Sequence, residues 1–375
     1  MKTILIFQGG GALGAYECGA FQVIAAHIDN QGDDLMVVGG TSIGALNASI
    51  IASEYQRVKS AKEAAEALRW FWTSVLPNLS LPIFPSYPGL HVPFADEMQR
   101  SLDVWTSVLW GNLRMFSPDP WNLSPFAPSH YDMCPLESTI RHQFRDCTGH
   151  GYYERGNGPR LIVTTADVQE GNAKAFDSDT EQITPEKVVA CCSLPPFMPA
   201  KEVDNHAYWD GGLWSNTPLR EVLNALQKPD GHQPAEPCEI PEYRIYLIND
   251  HPRVGSLPQD IIGVQERALD IMLADKTDYD VKVLKRFNQH IKLVQNLYPH
   301  INEVELPADV KQEIDEAYQE ICQSKRAILH IVPLHRTRLP GDRWSATGDF
   351  SCRRIEELIA QGKSETQREL SKLRF

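Results

Sequence analysis

A serine flanked by glycines stands at positions 40–44, where the chain reads Gly40-Thr41-Ser42-Ile43-Gly44. This spacing matches the G-x-S-x-G pattern of a nucleophile elbow, in which a sharp turn from strand to helix exposes the serine hydroxyl. The apolar run before the pattern predicts a strand, and the small residues after it predict a helix lying close to a sheet. Because amides at a helix start favour negative charge, we expect Ser42 to act as a nucleophile.

A glycine-rich stretch follows the first predicted strand and reads Gly9-Gly10-Gly11-Ala12-Leu13-Gly14. Successive glycine amides at such a turn can donate hydrogen bonds to an oxyanion, so we predict an oxyanion hole at Gly9, Gly10 and Gly11. The same residues also satisfy G-x-G-x-x-G, the fingerprint of dinucleotide binding. Dinucleotide binding requires an acid at the end of the second strand, but this strand ends Val38-Gly39-Gly40-Thr41-Ser42.

An activated serine needs a base, and the sequence offers two kinds of candidate. Asp210 follows two aromatic residues and precedes Gly211 and Gly212, which would expose its carboxylate on a tight loop. This arrangement predicts a Ser-Asp dyad. The alternative is a triad completed by His330 or His335, which flank a late predicted strand. An α/β-hydrolase of that kind has several strands before its elbow, whereas only two precede this serine.

Strands and helices alternate along the chain, which is typical of an α/β fold. Short β-branched and apolar runs predict strands over residues 2–7, 35–38, 160–165, 244–249 and 327–334. Helical spacing or start signals predict helices over residues 14–28 and 43–52, from 185 onwards, within 257–298, and over 351–373.

Residues 77–134 interrupt this alternation, because nine of the 26 prolines fall among them. One amphipathic helix is predicted here from apolar residues at helical spacing, namely Phe94, Met98, Leu102, Trp105 and Leu109. This insertion either packs on the core or forms a lid over an apolar channel. Trp105 and Trp110 make it the predicted route for transient contact with a membrane surface.

Three blocks of the chain, Gln8 to Ala15, Gly40 to Ala45 and Asp210 to Gly212, resemble in this order the motifs of the patatin-like phospholipases. The resemblance covers residues 1–225 and implies a three-layer α/β/α sandwich with a mostly parallel central sheet. It also implies the roles of the individual residues: Ser42 as nucleophile, Asp210 as base, Gly9, Gly10 and Gly11 around the oxyanion, and Gly40, Gly44, Gly211 and Gly212 as elbow and loop glycines. Asn216-Thr217-Pro218 is similar to the family's N-x-P continuation into a helix. Residues 226–375 resemble the C-terminal extension of a bacterial subgroup, expected to be part strand, part helix and packed on the core.

One departure from the family pattern affects the expected substrate. Many members have arginine where this chain has Leu13, and that arginine can pair with a lipid phosphate. Its absence makes a neutral acyl ester or a lysophospholipid as suitable a substrate as a phospholipid.

These residues lead to the hypothesis of a serine acyl hydrolase that cleaves carboxylic esters of lipids and needs no metal or organic cofactor. An acyltransferase would form the same acyl-enzyme and pass the acyl group to another acceptor. A dinucleotide-binding oxidoreductase is the less favoured enzyme, and a non-catalytic protein that retains a lipid pocket is the remaining alternative.

The composition restricts compartment and partners. A chain of 375 residues with 42% hydrophobic and 23% charged residues is typical of a globular protein. Its 36 Lys+Arg and 49 Asp+Glu give a net charge of −13, which disfavours nucleic acid and anionic membranes as partners. The eight cysteines form no C-x-x-C pair, and the apolar run before the first glycines is too short for a signal peptide. We therefore expect a cytoplasmic location, at most peripheral to a membrane.

Overall fold

The computed structural model describes residues 1–78, 99, 111–119, 129–227, 242–258, 261–274, 277–323, 328–338, 342 and 347–372. Apart from Gln99, the helix predicted from Phe94 to Leu109 lies outside these ranges, as does Trp110. The lid and the membrane contact predicted for residues 77–134 therefore stay predictions.

The strands assigned within these ranges are β1 (Lys2–Phe7), β2 (Asp34–Thr41), β3 (Ser117–Pro118), β4 (Tyr131–Asp132), β5 (Arg160–Asp167), β6 (Asn172–Asp177), β7 (Lys201–Val203), β8 (His206–Asp210), β9 (Glu242–Asn249) and β10 (Ile328–His335). The helices are α1 (Gly14–Gln31), α2 (Ile43–Val58), α3 (Ala61–Trp70), α4 (Cys134–Thr148), α5 (Pro185–Cys191), α6 (Leu219–Gln227), α7 (Ile261–Leu273), α8 (Thr277–Leu297), α9 (Ala308–Gln323) and α10 (Cys352–Lys372). Of the described helices, none combines the length and the apolar character that crossing a bilayer requires.

The predicted strands and helices that fall on described residues are confirmed as elements, and the differences lie at their ends. The largest concerns α2, which was predicted to end at Ala52 and continues to Val58. Tyr55 explains the extension, because its ring is buried and its hydroxyl lies 3.5 Å from the amide nitrogen of Leu35. Packing against the sheet therefore stabilises the last turn of α2, although most of its residues are polar.

One eight-stranded sheet organises the chain, in the order β10-β9-β1-β2-β5-β8-β7, with β6 also paired to β5. The strands β10, β9, β1, β2 and β5 are parallel to one another. β6 and β8 run antiparallel to β5, and β7 runs antiparallel to β8. The sheet is thus mostly parallel, as the resemblance implies.

Apolar residues cover both faces of this sheet, because its central strands alternate between two apolar clusters. Leu5 and Phe7 of β1 point to a cluster that contains residues of α1, α2, α3, α4, α5 and α10. Ile4 and Ile6 of the same strand point to a second cluster with residues of α6 and α8. The fold is therefore a three-layer α/β/α sandwich.

The residues after 225 contribute to this sheet. β9 pairs with β1 along its whole length, from Lys2 opposite Tyr243 to Phe7 opposite Ile248. β10 then pairs with β9 at the edge. α10 packs closely on α1. A Cβ at Gly362 would collide with the carbonyl oxygen of Tyr16.

This close approach of α10 to α1 predicts that Gly362→Ala destabilises the fold. Alanine is the better helix former by about 1 kcal/mol, but its Cβ meets rigid backbone here, and such overpacking costs about 1–3 kcal/mol. We expect a net loss of about 1–2 kcal/mol in the free energy of unfolding in urea. Gly151→Ala is the matched control, because the nearest atom to its Cβ lies 3.5 Å away. Equal stability of the two variants would contradict the packing.

Candidate active site

Two strands meet end to end on one edge of β5. β6 occupies the other edge of β5 along Ile162–Asp167, so β2 and β8 must share the remaining one. Thr41, the last residue of β2, pairs with Thr164, and Asp210, the last residue of β8, pairs with Thr165. Adjacent positions of one strand therefore hold the residue before Ser42 and the predicted base.

Ser42 occupies a sharp turn between β2 and α2. Its backbone φ of 55° and ψ of −126° lie in a region that L residues rarely adopt, at a cost of about 1–3 kcal/mol. The turn is possible because Gly40 has no side chain, since a Cβ there would collide with the carbonyl oxygen of Gly44. A Cβ at Gly44 would in turn lie 2.6 Å from the carbonyl oxygen of Gln8. The elbow therefore has the geometry that the two flanking glycines predict.

Asp210 is 2% exposed, and its carboxylate lies beside two polar groups. The Gly212 amide donates to Oδ1 at 2.8 Å, and the Ser42 hydroxyl is close enough to interact with the carboxylate. Burial raises the pKa of Asp210 from 3.8 to about 6, although both neighbours lower it. A carboxylate with that pKa is ionised at neutral pH and is a stronger base than an exposed aspartate.

The loop after Asp210 folds back on the dyad. A Cβ at Gly211 would collide with the carbonyl oxygen of Thr164, so only glycine fits there. A Cβ at Gly212 would lie 3.1 Å from Oδ1 of Asp210 and 2.9 Å from Oδ1 of Asn216. Both loop glycines that the sequence indicates therefore stand where side chains would crowd the base.

The glycine-rich turn lies against the same loop. Gly9 donates its amide to the carbonyl oxygen of Asn216 at 3.1 Å, and its own carbonyl oxygen accepts from Asn216 Nδ2 at 2.9 Å. His251 Nε2 lies 3.1 Å from that carbonyl oxygen as well. The Gly10 and Gly11 amides have no acceptor within the part of the chain that the structure describes. Of the three predicted oxyanion donors, Gly9 is thus already engaged, and Gly10 and Gly11 are available.

A buried acid lies behind this turn. Asp250 is fully buried, and neither carboxylate oxygen has a hydrogen-bond partner among the described residues. Its Oδ2 lies 2.9 Å from the Cβ that Gly10 would carry if it had a side chain. Burial raises the pKa of Asp250 well above its ordinary value, and the positive charge of Arg336 offsets only part of this effect. Desolvation therefore favours the uncharged form of Asp250, which limits negative charge near the glycine amides.

Gln8 is a site residue that the sequence interpretation did not single out. Its Oε1 accepts hydrogen bonds from the amides of Asp250 at 2.7 Å and His251 at 2.9 Å. Its Nε2 donates to Thr217 Oγ1 at 2.9 Å and to the carbonyl oxygen of Leu273 at 3.1 Å. One buried amide thus ties together the ends of β1 and β9, the loop after β8 and the end of α7. Its position directly after a buried strand was the available signal, since carboxyl ends of parallel strands meet at one edge.

The two histidines proposed for a triad lie elsewhere. His330 is the third residue of β10, near the opposite end of the strands from Ser42, and its Nε2 lies 3.1 Å from Glu242 Oε2. His335 ends β10, three strands from β2, which is about 14 Å at the usual strand spacing. Its Nε2 lies 3.7 Å from Asp278 Oδ1. The geometry therefore favours the dyad over the triad.

Among the described residues, one group offers ligand atoms that a metal ion could take: Asp167, Glu170 and His206, whose ligand atoms lie within 4.8 Å of one another. Asp167 Oδ1 already accepts the amides of Gln169 and Glu170, each at 2.9 Å. Its Oδ2 lies 3.0 Å from His206 Nδ1. These contacts stabilise the turn between β5 and β6, and none of them involves Ser42.

Leu13 is buried, with its Cβ 3.1 Å from the Cβ position of Gly10. The turn therefore carries a buried apolar side chain, and not a cation, at this position.

Comparison with known proteins identifies the class to which this fold and site belong. A family model described as patatin-like phospholipase matches residues 5–223. The chain therefore belongs to the patatin-like phospholipase family. The matched range contains Ser42, Asp210 and the glycine-rich turn, and it ends before β9 and β10.

Two further comparisons add little to this assignment. A search of curated proteins returned no match. Among solved structures, the crystal structure of VipD from Legionella pneumophila is similar at 12% sequence identity, covering 99% of this chain and 67% of that chain, with a TM-score of 0.35. The family assignment rests on the family model alone.

The raised pKa of Asp210 predicts how stability depends on pH. Folding favours its protonated form, so the stabilisation it contributes is complete below pH of about 4 and is lost as the pH rises through about 6. Asp210→Asn removes the buried charge, and we expect it to be more stable than the unchanged protein by about 2–3 kcal/mol at pH 8, with little difference at pH 4.

Urea unfolding at pH 4, 6 and 8 measures this effect. Asp146→Asn is the matched control, because Asp146 is exposed on α4 and its substitution should give the same small effect at each pH. An Asp210→Asn variant that is less stable than the unchanged protein at pH 8 would show that the carboxylate is not desolvated.

Proposed function

We propose that the protein is a serine acyl hydrolase that cleaves carboxylic esters of lipids with a dyad of Ser42 and Asp210. The observation that carries this proposal is that the Ser42 hydroxyl, on its strained turn, lies beside a buried carboxylate whose pKa is raised to about 6. Membership of the patatin-like phospholipase family supports lipid esters as the substrate class.

In the first half of the reaction, Asp210 accepts the proton of the Ser42 hydroxyl while Oγ attacks the ester carbonyl carbon. The carbonyl oxygen becomes an oxyanion, which the Gly10 and Gly11 amides and the start of α2 stabilise. The intermediate then expels the alcohol, which leaves with the proton held by Asp210. The product is an acyl ester on Ser42.

In the second half, Asp210 accepts a proton from water as the water oxygen attacks the acyl-enzyme. Collapse of the second tetrahedral intermediate returns the proton to Ser42 Oγ and releases the fatty acid. The resting dyad is restored, and each proton that Asp210 accepts is returned within the same half-reaction. An acyltransferase would differ only in having an alcohol or thiol in place of water.

The buried Leu13 leaves the glycine-rich turn without the arginine that pairs with a lipid phosphate in related proteins. Neutral acyl esters and lysophospholipids are therefore proposed as substrates alongside phospholipids.

The dinucleotide alternative finds no support in the site. A Cβ at Gly11 would collide with the carbonyl oxygen of Thr347, so backbone occupies the space over this glycine that a pyrophosphate would need. The second strand also ends at Thr41 and Ser42, not at an acid that would bind ribose hydroxyls.

Ser42→Ala should lower kcat/KM for p-nitrophenyl butyrate at least about 10³-fold, because it removes the nucleophile. Asp210→Asn should lower it to a similar degree, because the two residues act as a unit. Ser53→Ala is the matched control, since this serine lies on the same helix and its hydroxyl donates within that helix to the Ser49 carbonyl oxygen at 2.8 Å. Activity of the Ser42→Ala variant near that of the control would refute the assignment.

The dyad also predicts the pH profile of the unchanged enzyme. Because Asp210 must be ionised to accept a proton and its pKa is about 6, kcat/KM should fall tenfold per pH unit below pH of about 6 and level off above it. His335 is the necessary control, because it is the histidine of the alternative triad and burial lowers its pKa from the ordinary value. The profile should be unchanged in His335→Ala; loss of the inflection in that variant would favour a triad.

A further inference from the structure

Three segments of the chain converge on the dyad, and each is joined to it either directly or through Asn216. The first is residues 193–200, where the Ser193 carbonyl oxygen accepts a hydrogen bond from the Asp210 amide at 2.9 Å. The second, residues 211–219, is the loop that follows Asp210 directly. The third is residues 271–274, at the end of α7, where the Leu273 carbonyl oxygen accepts a hydrogen bond from Asn216 Nδ2 at 2.8 Å. All three therefore lie at the same side of the molecule as Ser42.

Each of these segments exposes two large apolar side chains next to the residue that anchors it. We call this set the apolar rim: Leu194, Phe197, Leu213, Trp214, Ile271 and Met272. Their exposed fractions run from 39% for Leu194 to 73% for Met272. Single exposed apolar residues are ordinary on protein surfaces, but six in three converging segments mark an interaction surface.

The apolar rim is also free of charge. Although 23% of the whole chain is charged, the three segments contain no Asp, Glu, Lys or Arg. Asp270, the nearest acid before the third segment, is ion-paired with Arg338 at 3.2 Å. The three segments that carry the apolar rim are thus neutral in a protein whose net charge is −13. Such a surface complements a partner that is apolar and carries no net charge, and an anionic partner would be repelled by the rest of the molecule.

We propose that the apolar rim is the face by which this protein docks on a zwitterionic lipid bilayer. Insertion of its side chains to the depth of the headgroups removes apolar area from water and brings Ser42 to the level of the ester bonds. The inference rests on the proposed acyl hydrolysis for its purpose, but docking itself does not require catalysis. The rim differs from the insertion at residues 77–134 and lies on described residues.

The test uses the full-length chain with Ser42→Ala, so that binding is measured without hydrolysis. Sedimentation with phosphatidylcholine vesicles gives the partition coefficient. Leu194→Ser, Leu213→Ser and Ile271→Ser combined should lower it at least about tenfold, since three inserted aliphatic side chains are lost. The matched control combines Leu293→Ser, Leu297→Ser and Val304→Ser, whose side chains are exposed to a similar degree.

The control residues lie far from the dyad. α8 starts at Thr277, beside the third segment, and Leu293 lies about 24 Å further along its axis. Asn288 of the same helix binds Leu329, at the start of β10 and thus at the opposite end of the sheet. The control variant should therefore bind vesicles as the unchanged protein does. Equal loss in both triple variants would overturn the proposal.

A second measurement avoids the triple variant, should it fail to fold. Brominated phosphatidylcholine quenches tryptophan fluorescence on insertion, and Trp214→Phe should remove most of that quenching. Quenching that is unchanged in Trp214→Phe would assign docking to another segment and overturn the proposal. Binding restricted to vesicles with phosphatidylglycerol, and lost at high salt, would likewise overturn it.

Two other results are decisive. If the protein is a dimer by analytical ultracentrifugation, the rim variant is a monomer and neither binds vesicles, the rim is a contact between copies of the chain and the proposal fails. If vesicle binding depends on the rim but Ser42 proves dispensable for ester cleavage, the proposed function fails while the docking surface stands.

Discussion

The site depends on two strands that share one edge of a third. β2 and β8 approach each other head to head along β5, and the chain must leave both strands at their meeting point. Ser42 and Asp210 are 168 positions apart in sequence. The ends of β2 and β8 nevertheless pair with successive residues of β5, and this pairing fixes the distance between Ser42 and Asp210. The arrangement leaves no room for side chains at the turns, which is why glycine flanks both residues.

Electrostatics at this junction follow from burial. Desolvation makes the Asp210 carboxylate a better base, and the same effect raises the pKa of Asp250 behind the glycine-rich turn. The two buried acids differ in their surroundings: Asp210 accepts the Gly212 amide, whereas neither carboxylate oxygen of Asp250 has a hydrogen-bond partner among the described residues. In the proposed mechanism, the raised pKa of Asp250 limits negative charge near the developing oxyanion.

Local patterns in the sequence were sufficient to predict the elbow, the buried strands and the order of the motifs, because each depends on residues close together in the chain. Turn chemistry indicated Gly40, Gly44, Gly211 and Gly212, and the structure gives each a close backbone or carboxylate neighbour. The role of Gln8 was beyond reach, since its partners come from three distant parts of the chain and glutamine has no distinctive pattern of its own. For the same reason the sequence did not show that the Gly9 amide is occupied by Asn216. The contacts of Gln8 and of the Gly9 amide both join residues that are distant in the chain, and the periodicity of a single sequence does not reveal such contacts.

The pairing of β1 with β9 also has a consequence for how the chain reaches its final form. β1 leaves the ribosome well before one of its two neighbours in the sheet, which begins only at Glu242. Until then its amides and carbonyls on that side face open solvent, and the exposed edge is a template for pairing with other chains. Synthesis at about 5–20 residues per second makes this interval last on the order of ten seconds. A polypeptide released before Glu242 would keep the edge permanently, so premature termination in this region should yield aggregates and not a smaller folded protein.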